Sequence, residues 1–294
     1  MKYQKLLFLL LTVSVLAVGC SSEALPEQVS LSGDLTSTEV EIAERIVSLS
    51  PTATEILFSI DAGSQVVAVD DQSNYPVGAP ITDLSGYTPN VEAIASYSPD
   101  LVVISYDPGD LVSGLVALGI AVVVQPAAET FSDTYGQISE LGKLTGHTNN
   151  ATELVESIET DLAEMASSQV GNGLTYYHEV DNTFYTTTSS TFLGQLYALL
   201  GLSNIADPAD EVGFGWPQLS AEFIIDSDPD LIFLGNVSWG ESAETVTARP
   251  GWQTMKAIRN GGIIAVDTDM SGRWGPRIVD YLTAVKTAIE ERTD

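Results

Sequence analysis

Two stretches of the sequence, NVEAIASYSPDLVVI at residues 90–104 and SAEFIIDSDPDLIFL at residues 220–234, follow one pattern. Each begins with a residue type that caps helices, has Glu at its third position and Ile at its fifth, and continues through Pro-Asp-Leu into an apolar run. This pattern predicts a helix followed by a buried strand. Because the offsets agree in both copies, the sequence predicts two α/β lobes of related design with a ligand cleft between them.

Strand and helix signals surround each copy. Thr52 with Glu55 three residues later forms a capping box, which predicts a helix from about residue 53 to residue 60. Short apolar runs separated by helical patterns are typical of βαβ units, and those at 101–104 and 120–124 read as buried parallel strands. The predicted strands are 45–49, 66–69, 101–104, 120–124, 174–180, 231–234 and 263–266.

One long amphipathic helix separates the two series of signals. Between residues 152 and 165, apolar side chains recur three and four positions apart, and acidic side chains occupy the other faces. The fold class predicted is therefore α/β, with two Rossmann-like lobes that contain parallel sheets and are joined by one rigid α-helix. The predicted segments are a signal peptide (1–19), a polar tether (20–43), an N-terminal lobe (44–145), the interlobe helix (146–170) and a C-terminal lobe (171–294).

Charge and composition exclude several classes of function. The 294 residues include 40 acidic and 11 basic side chains, a net charge of −29, which would repel nucleic acid and anionic membrane surfaces. One cysteine and two histidines are too few for a structural zinc site. The sequence also contains no G-x-S-x-G, H-E-x-x-H or phosphate-binding glycine loop, so we predict that the protein is not an enzyme.

The first twenty residues predict export and lipidation. Lys2 and Lys5 precede an apolar run at 6–18, and Ala17-Val18-Gly19-Cys20 follows it as a lipobox, although Ala17 stands where Leu is usual. Cys20 is thus the predicted lipidation site, and the protein is predicted to lie outside the cytoplasm, tethered to the membrane by lipid alone. The alternatives are cleavage at another site, which would make Cys20 incidental, and a transmembrane anchor. The apolar run is shorter than the roughly 18–20 residues that a membrane span needs.

The chain from residue 45 to residue 294 resembles the periplasmic binding proteins whose two lobes are joined by one rigid helix, the class that serves vitamin B12, ferric siderophore and haem importers. The residues that carry the resemblance are RIVSLSPTATEIL at 45–57, DQSNYP at 71–76, residues 90–94 and 98–101, WPQLSAE at 216–222 and Gly-Pro-Arg at 275–277. The segment 216–218, before the second Glu, most resembles the vitamin B12-binding members. The resemblance implies a monomeric protein that delivers a small ligand to an ABC permease dimer with its ATPase.

The resemblance implies that Glu92 and Glu222 dock the protein on its permease, because the glutamates of this class meet arginines of the two membrane subunits. The internal repeat supplies such equivalent charges independently. The alternative is a local role, since a carboxylate in the first turn stabilises the helix dipole by about 0.3–1 kcal/mol. The two roles are compatible.

Family position and residue type indicate that Tyr75, Tyr106 and Trp216 contact the ligand, because flat aromatic faces suit a macrocycle. Weaker candidates of the same kind are Phe214, Trp239 and Trp274, and ordinary loop packing is the alternative for all of these aromatic residues. His178 could reach a metal ion, but a lone histidine in a strand is more often only hydrogen-bonded. No metal site and no resident cofactor is predicted.

Few basic residues are available to bind an anionic ligand. Arg45 begins a strand, so it is expected at the amino edge of its sheet, away from the cleft. Lys286 and Arg292 belong to the terminal helix. Arg273 is therefore the best candidate for a cation that faces the cleft. Ferric catecholates and citrate need clustered cations. We therefore expect a neutral or cationic chelate, with cobalamin preferred. A neutral hydroxamate siderophore or haem is the alternative, and a surface receptor or adhesin with the same fold is an alternative of another class.

Overall fold

The computed structural model describes residues 41–293. The predicted signal peptide, the lipidation site Cys20 and residues 20–40 of the predicted tether lie outside the described residues. No helix within residues 41–293 is both long enough and apolar enough to cross a lipid bilayer.

Two four-stranded parallel sheets form the centres of two lobes, as predicted. The strands are β1 (Ile46–Leu49), β2 (Val66–Val69), β3 (Leu101–Ile104), β4 (Ala121–Val124), β5 (Thr175–Glu179), β6 (Ser203–Asn204), β7 (Leu231–Leu234) and β8 (Ile263–Ala265). The strand order is β2-β1-β3-β4 in the first sheet and β6-β5-β7-β8 in the second. The second lobe therefore repeats the topology of the first.

Helices cover both sheets and connect them. They are α1 (Pro51–Ser59), α2 (Val91–Ala95), α3 (Leu111–Ala117), α4 (Phe131–Leu144), α5 (Thr148–Ser168), α6 (Phe192–Leu199), α7 (Ala221–Ser227), α8 (Ala243–Thr247), α9 (Lys256–Arg259), α10 (Thr268–Ser271) and α11 (Ile278–Thr293). Helix α5 is the predicted interlobe helix, with 21 residues. Helix α4 packs along it and was not predicted from the sequence.

The sequence repeat is also a repeat of hydrogen bonds. Asp100, which precedes β3, accepts a hydrogen bond from the backbone N–H of Arg45 at the start of β1, with an N–O distance of 3.0 Å. Asp230, which precedes β7, accepts one from the backbone N–H of Thr175 at the start of β5, at 2.9 Å. In each lobe, the Asp of Pro-Asp-Leu thus ties the central pair of strands together at their amino ends.

Helices α2 and α7 begin and end alike. The side chains of Asn90 and Ser220 each accept a hydrogen bond from the backbone N–H three residues on. After each helix, Ser98 and Asp228 adopt left-handed backbone conformations, with φ of 51° and 46°, immediately before a buried proline. The two first-turn glutamates consequently occupy equivalent positions in the two lobes.

A continuous apolar core joins the two lobes through α4 and α5. Ile138 of α4 and Ile158 of α5 are buried in one cluster with Ile56 of the first lobe and with Tyr281 of the second. Two further clusters lie on the outer sides of the sheets, one in each lobe. Because the connecting helices are part of the core, a change in the angle between the lobes would disturb close packing.

Two local predictions were wrong. Helix α1 begins at Pro51 and is capped by Ser50, so Thr52 and Glu55 do not form a capping box, and the Glu55 side chain is buried. Proline favours the first helical position, because its φ suits the helix and no N–H is needed there, so the cap falls on the residue before it. Strand β4 was predicted to be buried but is partly exposed, since it lies at the edge of its sheet.

Candidate ligand-binding cleft

The cleft lies between the lobes, at the carboxyl ends of the strands of the first sheet, where open α/β sheets bind ligands. Its first cavity has a volume of about 530 Å³, and its walls include a residue at or just after each of the four strands, namely Leu49, Asp70, Ser105 and Pro126. The N-terminus of α1 also forms part of this wall. We call this space cavity 1.

A second cavity of about 640 Å³ adjoins the first and extends against the C-terminal lobe. Its walls include Thr191, which caps α6 as Ser50 caps α1. They also include Phe214, which stands between Gly213 and Gly215 with φ of 69° and 87°. Glycine adopts this left-handed conformation without strain, and the two glycines turn the loop so that Phe214 is exposed. We call this space cavity 2.

Arg273 and Trp274 form part of the walls of both cavities. The predicted cleft cation is therefore located at the cleft, but it is not free. Arg273 donates to Glu55 Oε1 at 2.8 Å and to the side-chain oxygen of Asn74 at 2.9 Å, and its side chain is 9% exposed. Its positive charge is thus paired with a carboxylate of the opposite lobe.

Arg277 binds the same carboxylate. Its Nε donates to Glu55 Oε2 at 2.9 Å, and this hydrogen bond raises the pKa of the Arg277 guanidinium. The guanidinium also lies over the ring of Tyr75, with 4.2 Å between its central carbon and the ring centre. One buried acid therefore accepts hydrogen bonds from two arginines that follow α10.

Trp274 is held by helix α4. Its indole N–H donates to the side-chain oxygen of Gln137 at 2.8 Å, and its backbone carbonyl accepts a hydrogen bond from the hydroxyl of Thr134 at 3.0 Å. These bonds fix the indole between the two cavities. The segment that carries Arg273 and Trp274 therefore bridges the lobes and forms part of the walls of both cavities.

Asp70 is a buried acid in the wall of cavity 1. Its side chain follows β2, the residue is 2% exposed, and its Oδ1 has no hydrogen-bond partner. Burial raises the pKa of the Asp70 carboxyl, and the neighbouring charge of Asp71 acts in the same direction, whereas Ser73 and Arg273 oppose them. The Asp70 carboxyl therefore lacks a hydrogen-bond donor at one of its two oxygens.

The structure places four of the predicted aromatic residues on the cavity walls, and Trp274, described above, is one of them. Tyr106 lies at cavity 1, and Phe214 and Trp216 lie at cavity 2. Tyr75 and Trp239 are not among the wall residues of either cavity. The Tyr75 ring packs against Arg277, and Trp239 is 70% exposed in a short 3-10 helix. Their contact with ligand stays a prediction.

Two further aromatic side chains line the cleft: Tyr87, which was not predicted from the sequence, and Trp274, which was predicted only as a weaker candidate. Tyr87 is 71% exposed and contributes to cavity 1, where its backbone carbonyl accepts a hydrogen bond from the Tyr106 hydroxyl at 3.3 Å. It lies in a Gly-Tyr-Thr-Pro loop, which is the same kind of signal that indicated the other loop aromatic residues. Trp274 contributes to both cavities, so the cleft has aromatic side chains from both lobes.

Glu92 and Glu222 are exposed and each lies in the first turn of its helix. Neither residue is part of the walls of the two cavities. Their caps are made by Asn90 and Ser220, so the two carboxylates remain available at equivalent positions of the lobes.

His178 is buried in β5 and away from both cavities. Its Nδ1 lies 2.9 Å from the hydroxyl of Tyr197, which in turn contacts the hydroxyl of Tyr281. Complete burial lowers the pKa of His178 to about 3, so the ring is neutral at physiological pH. Within residues 41–293, no three His, Cys, Asp or Glu side chains are grouped as a metal site.

A second buried acid provides a contrast with Glu55. Glu179, at the end of β5, is bound through both oxygens by Arg249, and its Oε1 also accepts a hydrogen bond from Asn236 at 2.9 Å. All three residues belong to the C-terminal lobe, and none contributes to the two cavities. This ion pair stabilises one lobe, whereas the Glu55 pair connects two.

Comparison with known proteins agrees with the fold and the cleft. The periplasmic binding protein family matches residues 46–270. An uncharacterized ABC transporter substrate-binding lipoprotein of Bacillus subtilis, YvrC, is 30% identical over 84% of this chain and 80% of its own length. A cobalamin-binding protein of Halobacterium salinarum is 28% identical over 85% of this chain and 70% of its own length.

A solved structure of a periplasmic solute-binding protein has the same fold. A possible iron-binding, periplasmic solute-binding protein of Staphylococcus epidermidis matches with a TM-score of 0.72 and 27% identity, over 85% of this chain and 99% of that one. These relatives are transport proteins and not enzymes. The chain belongs to the periplasmic binding protein family and is a substrate-binding protein of the ABC importer class.

Proposed function

We propose that the protein captures cobalamin outside the cytoplasm and delivers it to an ABC permease. The observation that carries this proposal is the pairing of Arg273 with Glu55. Among the described residues of the cavity walls, Arg273 is the one basic side chain, and it forms ion pairs with Glu55, which it shares with Arg277, and with Asp269 at 3.4 Å. The other charged wall residues are the acids Asp70, Glu129 and Asp269, so the cleft favours a neutral or cationic ligand.

The apolar part of the cleft supports a large flat ligand. Tyr87, Tyr106, Phe214, Trp216 and Trp274 present aromatic surface from both lobes. A corrin ring can stack on or pack against such faces without needing charge. The relative from Halobacterium salinarum named as a cobalamin-binding protein supports the same ligand.

A neutral ferric hydroxamate siderophore is the second candidate. The relative from Staphylococcus epidermidis described as possibly iron-binding favours it, and a neutral chelate would also tolerate the acidic walls. Haem fits less well, because its two carboxylates would face a cleft whose arginine is already paired. The three candidates differ in charge, and this difference, rather than the fold, decides which of them suits the cleft.

Delivery to the permease is proposed to depend on Glu92 and Glu222. Their equivalent exposed positions match a partner made of two similar membrane subunits with arginines at the interface. Attachment to the membrane is proposed to occur through lipidation of Cys20, which is supported by the lipoprotein name of the Bacillus subtilis relative. Replacing Cys20 with Ala should release the protein or stall its processing, and unchanged membrane partitioning would contradict the anchor.

The experiment that tests the ligand is native mass spectrometry of the purified protein with cyanocobalamin, a neutral ferric hydroxamate and haem in equal amounts, followed by calorimetry. We expect one bound cyanocobalamin per protein and saturable heat. Retention of the hydroxamate with no response to cyanocobalamin would reverse the order of the two candidates.

A further inference from the structure

The Asp70 carboxyl in the wall of cavity 1 lowers the stability of the folded protein. The carboxyl is buried, and its Oδ1 makes no hydrogen bond within the protein. A buried polar atom without a partner costs about 1–3 kcal/mol, and more when it belongs to a charged group. Asn at this position would have nearly the same shape without the charge. The carboxylate is therefore better explained by an interaction outside the folded chain than by stability.

Gly86 leaves room beside this carboxylate. A Cβ atom at position 86 would lie 2.8 Å from Asp70 Oδ2 and 2.8 Å from the backbone carbonyl oxygen of Leu49. Gly86 does not have a positive φ, so its backbone conformation is open to other residues. The glycine thus leaves space next to Asp70 Oδ2, the oxygen other than the unpartnered Oδ1, and both residues belong to the wall of cavity 1.

A hydroxyl donor lies in the same wall. Ser50 Oγ accepts hydrogen bonds from Ser105 Oγ at 2.9 Å and from the backbone N–H of Ala53 at 3.3 Å. Since Ser50 is the acceptor in both bonds, its own O–H can donate to a ligand. Cavity 1 thus combines a strong acceptor, Asp70, with a hydroxyl donor at the N-terminus of α1.

The charges around Asp70 are mostly negative. Asp71 directly follows Asp70 in the chain, and Asp269 is part of the same cavity wall. The nearest cation, Arg273, donates a hydrogen bond to Glu55 at 2.8 Å. A carboxylate brought to this place would be repelled, because no free cation on the described walls offsets it. A neutral group with N–H donors would instead satisfy the acid.

We propose that Asp70 is a specificity-determining residue that accepts an N–H hydrogen bond from an uncharged propionamide of the ligand, while the Ser50 hydroxyl donates to the carbonyl of that amide. The assignment rests on the proposed function, since a corrinoid carries several primary carboxamides around its ring. It adds that the protein distinguishes a carboxamide from a carboxylic acid at one position of the ligand.

The test compares cyanocobalamin with its three monocarboxylic acid derivatives, in each of which one propionamide has been hydrolysed. Calorimetry at neutral pH should show that at least one derivative binds the unaltered protein about 10- to 100-fold more weakly than cyanocobalamin does. Asp70→Asn should bring that derivative within about threefold of cyanocobalamin, because the Asn side chain can donate to a carboxylate.

Two further variants distinguish loss of the proposed hydrogen bond to Asp70 from a general loss of ligand affinity. Gly86→Ala should weaken binding of cyanocobalamin by covering Asp70, although the acid itself is retained. Phe214→Leu, in cavity 2, should weaken cyanocobalamin and the three derivatives by the same factor. Thermal unfolding of each variant identifies any that fails to fold, and Gly86→Ala then tests the subsite without a change at Asp70.

The outcomes distinguish this inference from the proposed function. Equal binding of cyanocobalamin and all three derivatives by the unaltered protein would overturn the carboxamide assignment and leave cobalamin as the ligand. Unchanged discrimination in Asp70→Asn would also overturn it. Failure to bind any corrinoid would overturn the proposed function and the assignment together.

Discussion

Arg273 donates a hydrogen bond to Glu55 over 2.8 Å, although the two residues belong to different lobes and are 218 positions apart in the chain. The acid lies in α1, and the arginine follows α10 at the boundary of both cavities. Arg277 binds the same carboxylate, which is 1% exposed. The pairing thus connects the lobes, and together with Asp269, whose Oδ1 lies 3.4 Å from Arg273, it offsets the positive charge at the ligand space.

Replacing Glu55 with Gln should lower stability and change ligand preference. Removing one partner of a buried ion pair commonly costs about 3–5 kcal/mol of unfolding free energy. Arg273, left with Asp269 at 3.4 Å as its acidic partner, should then attract anionic ligands, so haem or a monocarboxylic corrinoid should bind more tightly than to the unaltered protein. Denaturant unfolding and calorimetry measure the two effects.

Glu179→Gln is the matched control for that change. Glu179 is equally buried and is bound by Arg249, but it lies in one lobe and away from the cavities. We expect a similar loss of stability and an unchanged preference among ligands. A shift toward anions in both variants would show that the effect is not specific to Arg273.

Replacing Trp216 with Ala should weaken cyanocobalamin binding by about 1–3 kcal/mol, since an indole that stacks on the ligand loses both apolar burial and ring contact. Trp216 contributes to the wall of cavity 2, whereas Trp239 does not. Trp239→Ala should therefore cause a smaller loss. Equal losses in the two variants, measured by calorimetry, would contradict the position of the ligand in cavity 2.

Charge reversal at Glu92 and Glu222 should impair transport and leave capture intact. Neither residue belongs to the cavity walls, so ligand affinity should stay unchanged, and loss of the dipole interaction should cost the fold no more than about 1 kcal/mol. Uptake in a reconstituted permease should fall in each Glu→Arg variant, further in the double variant, and less in the corresponding Glu→Ala variants.

Glu153→Arg provides the control for a change of surface charge alone. This residue is exposed on α5, outside the repeated helices. Its reversal should leave uptake near the level of the unaltered protein. Normal transport by both Glu92→Arg and Glu222→Arg would mean that the two glutamates serve only their helices.

Asp70→Asn should stabilise the protein at neutral pH. Burial and the nearby Asp71 raise the pKa of Asp70, and the opposing contributions of Ser73 and Arg273 do not cancel them. Between the ordinary and the raised pKa, the folded state binds more protons than the unfolded state does, so stability falls as the pH rises through the raised value. The Asn variant lacks this loss.

Thermal unfolding of both proteins over a pH series checks this expectation. The advantage of Asp70→Asn should be fully present above the raised pKa and should shrink as the pH falls toward the ordinary value of an aspartate. Asp269 also lies on the cavity wall, so Asp269→Asn shows whether another acid produces the same trend. An advantage that is independent of pH would exclude the Asp70 charge as its cause.

Local patterns in the sequence were enough to predict the two lobes. The repeated Pro-Asp-Leu segments reappear as equivalent strands, β3 and β7, and the apolar periodicity of residues 152–165 reappears in α5. Helix periodicity and helix capping act over a few residues, so they can be read without knowing the fold. The exposure of Glu92 and Glu222 follows from the same short-range geometry.

Only the tertiary structure decided the chemistry of the cleft. Glu55 resembled a local capping residue in sequence, but its partners are 218 and 222 positions away, and their identity depends on how the lobes are packed. The proposed role of Asp70 in ligand recognition rests on the space that Gly86 leaves beside its Oδ2 and on the absence of a hydrogen bond at its Oδ1. Electrostatic interactions and burial depend on distances in space, so the same arginine could be identified from sequence while the partner that neutralises it could not.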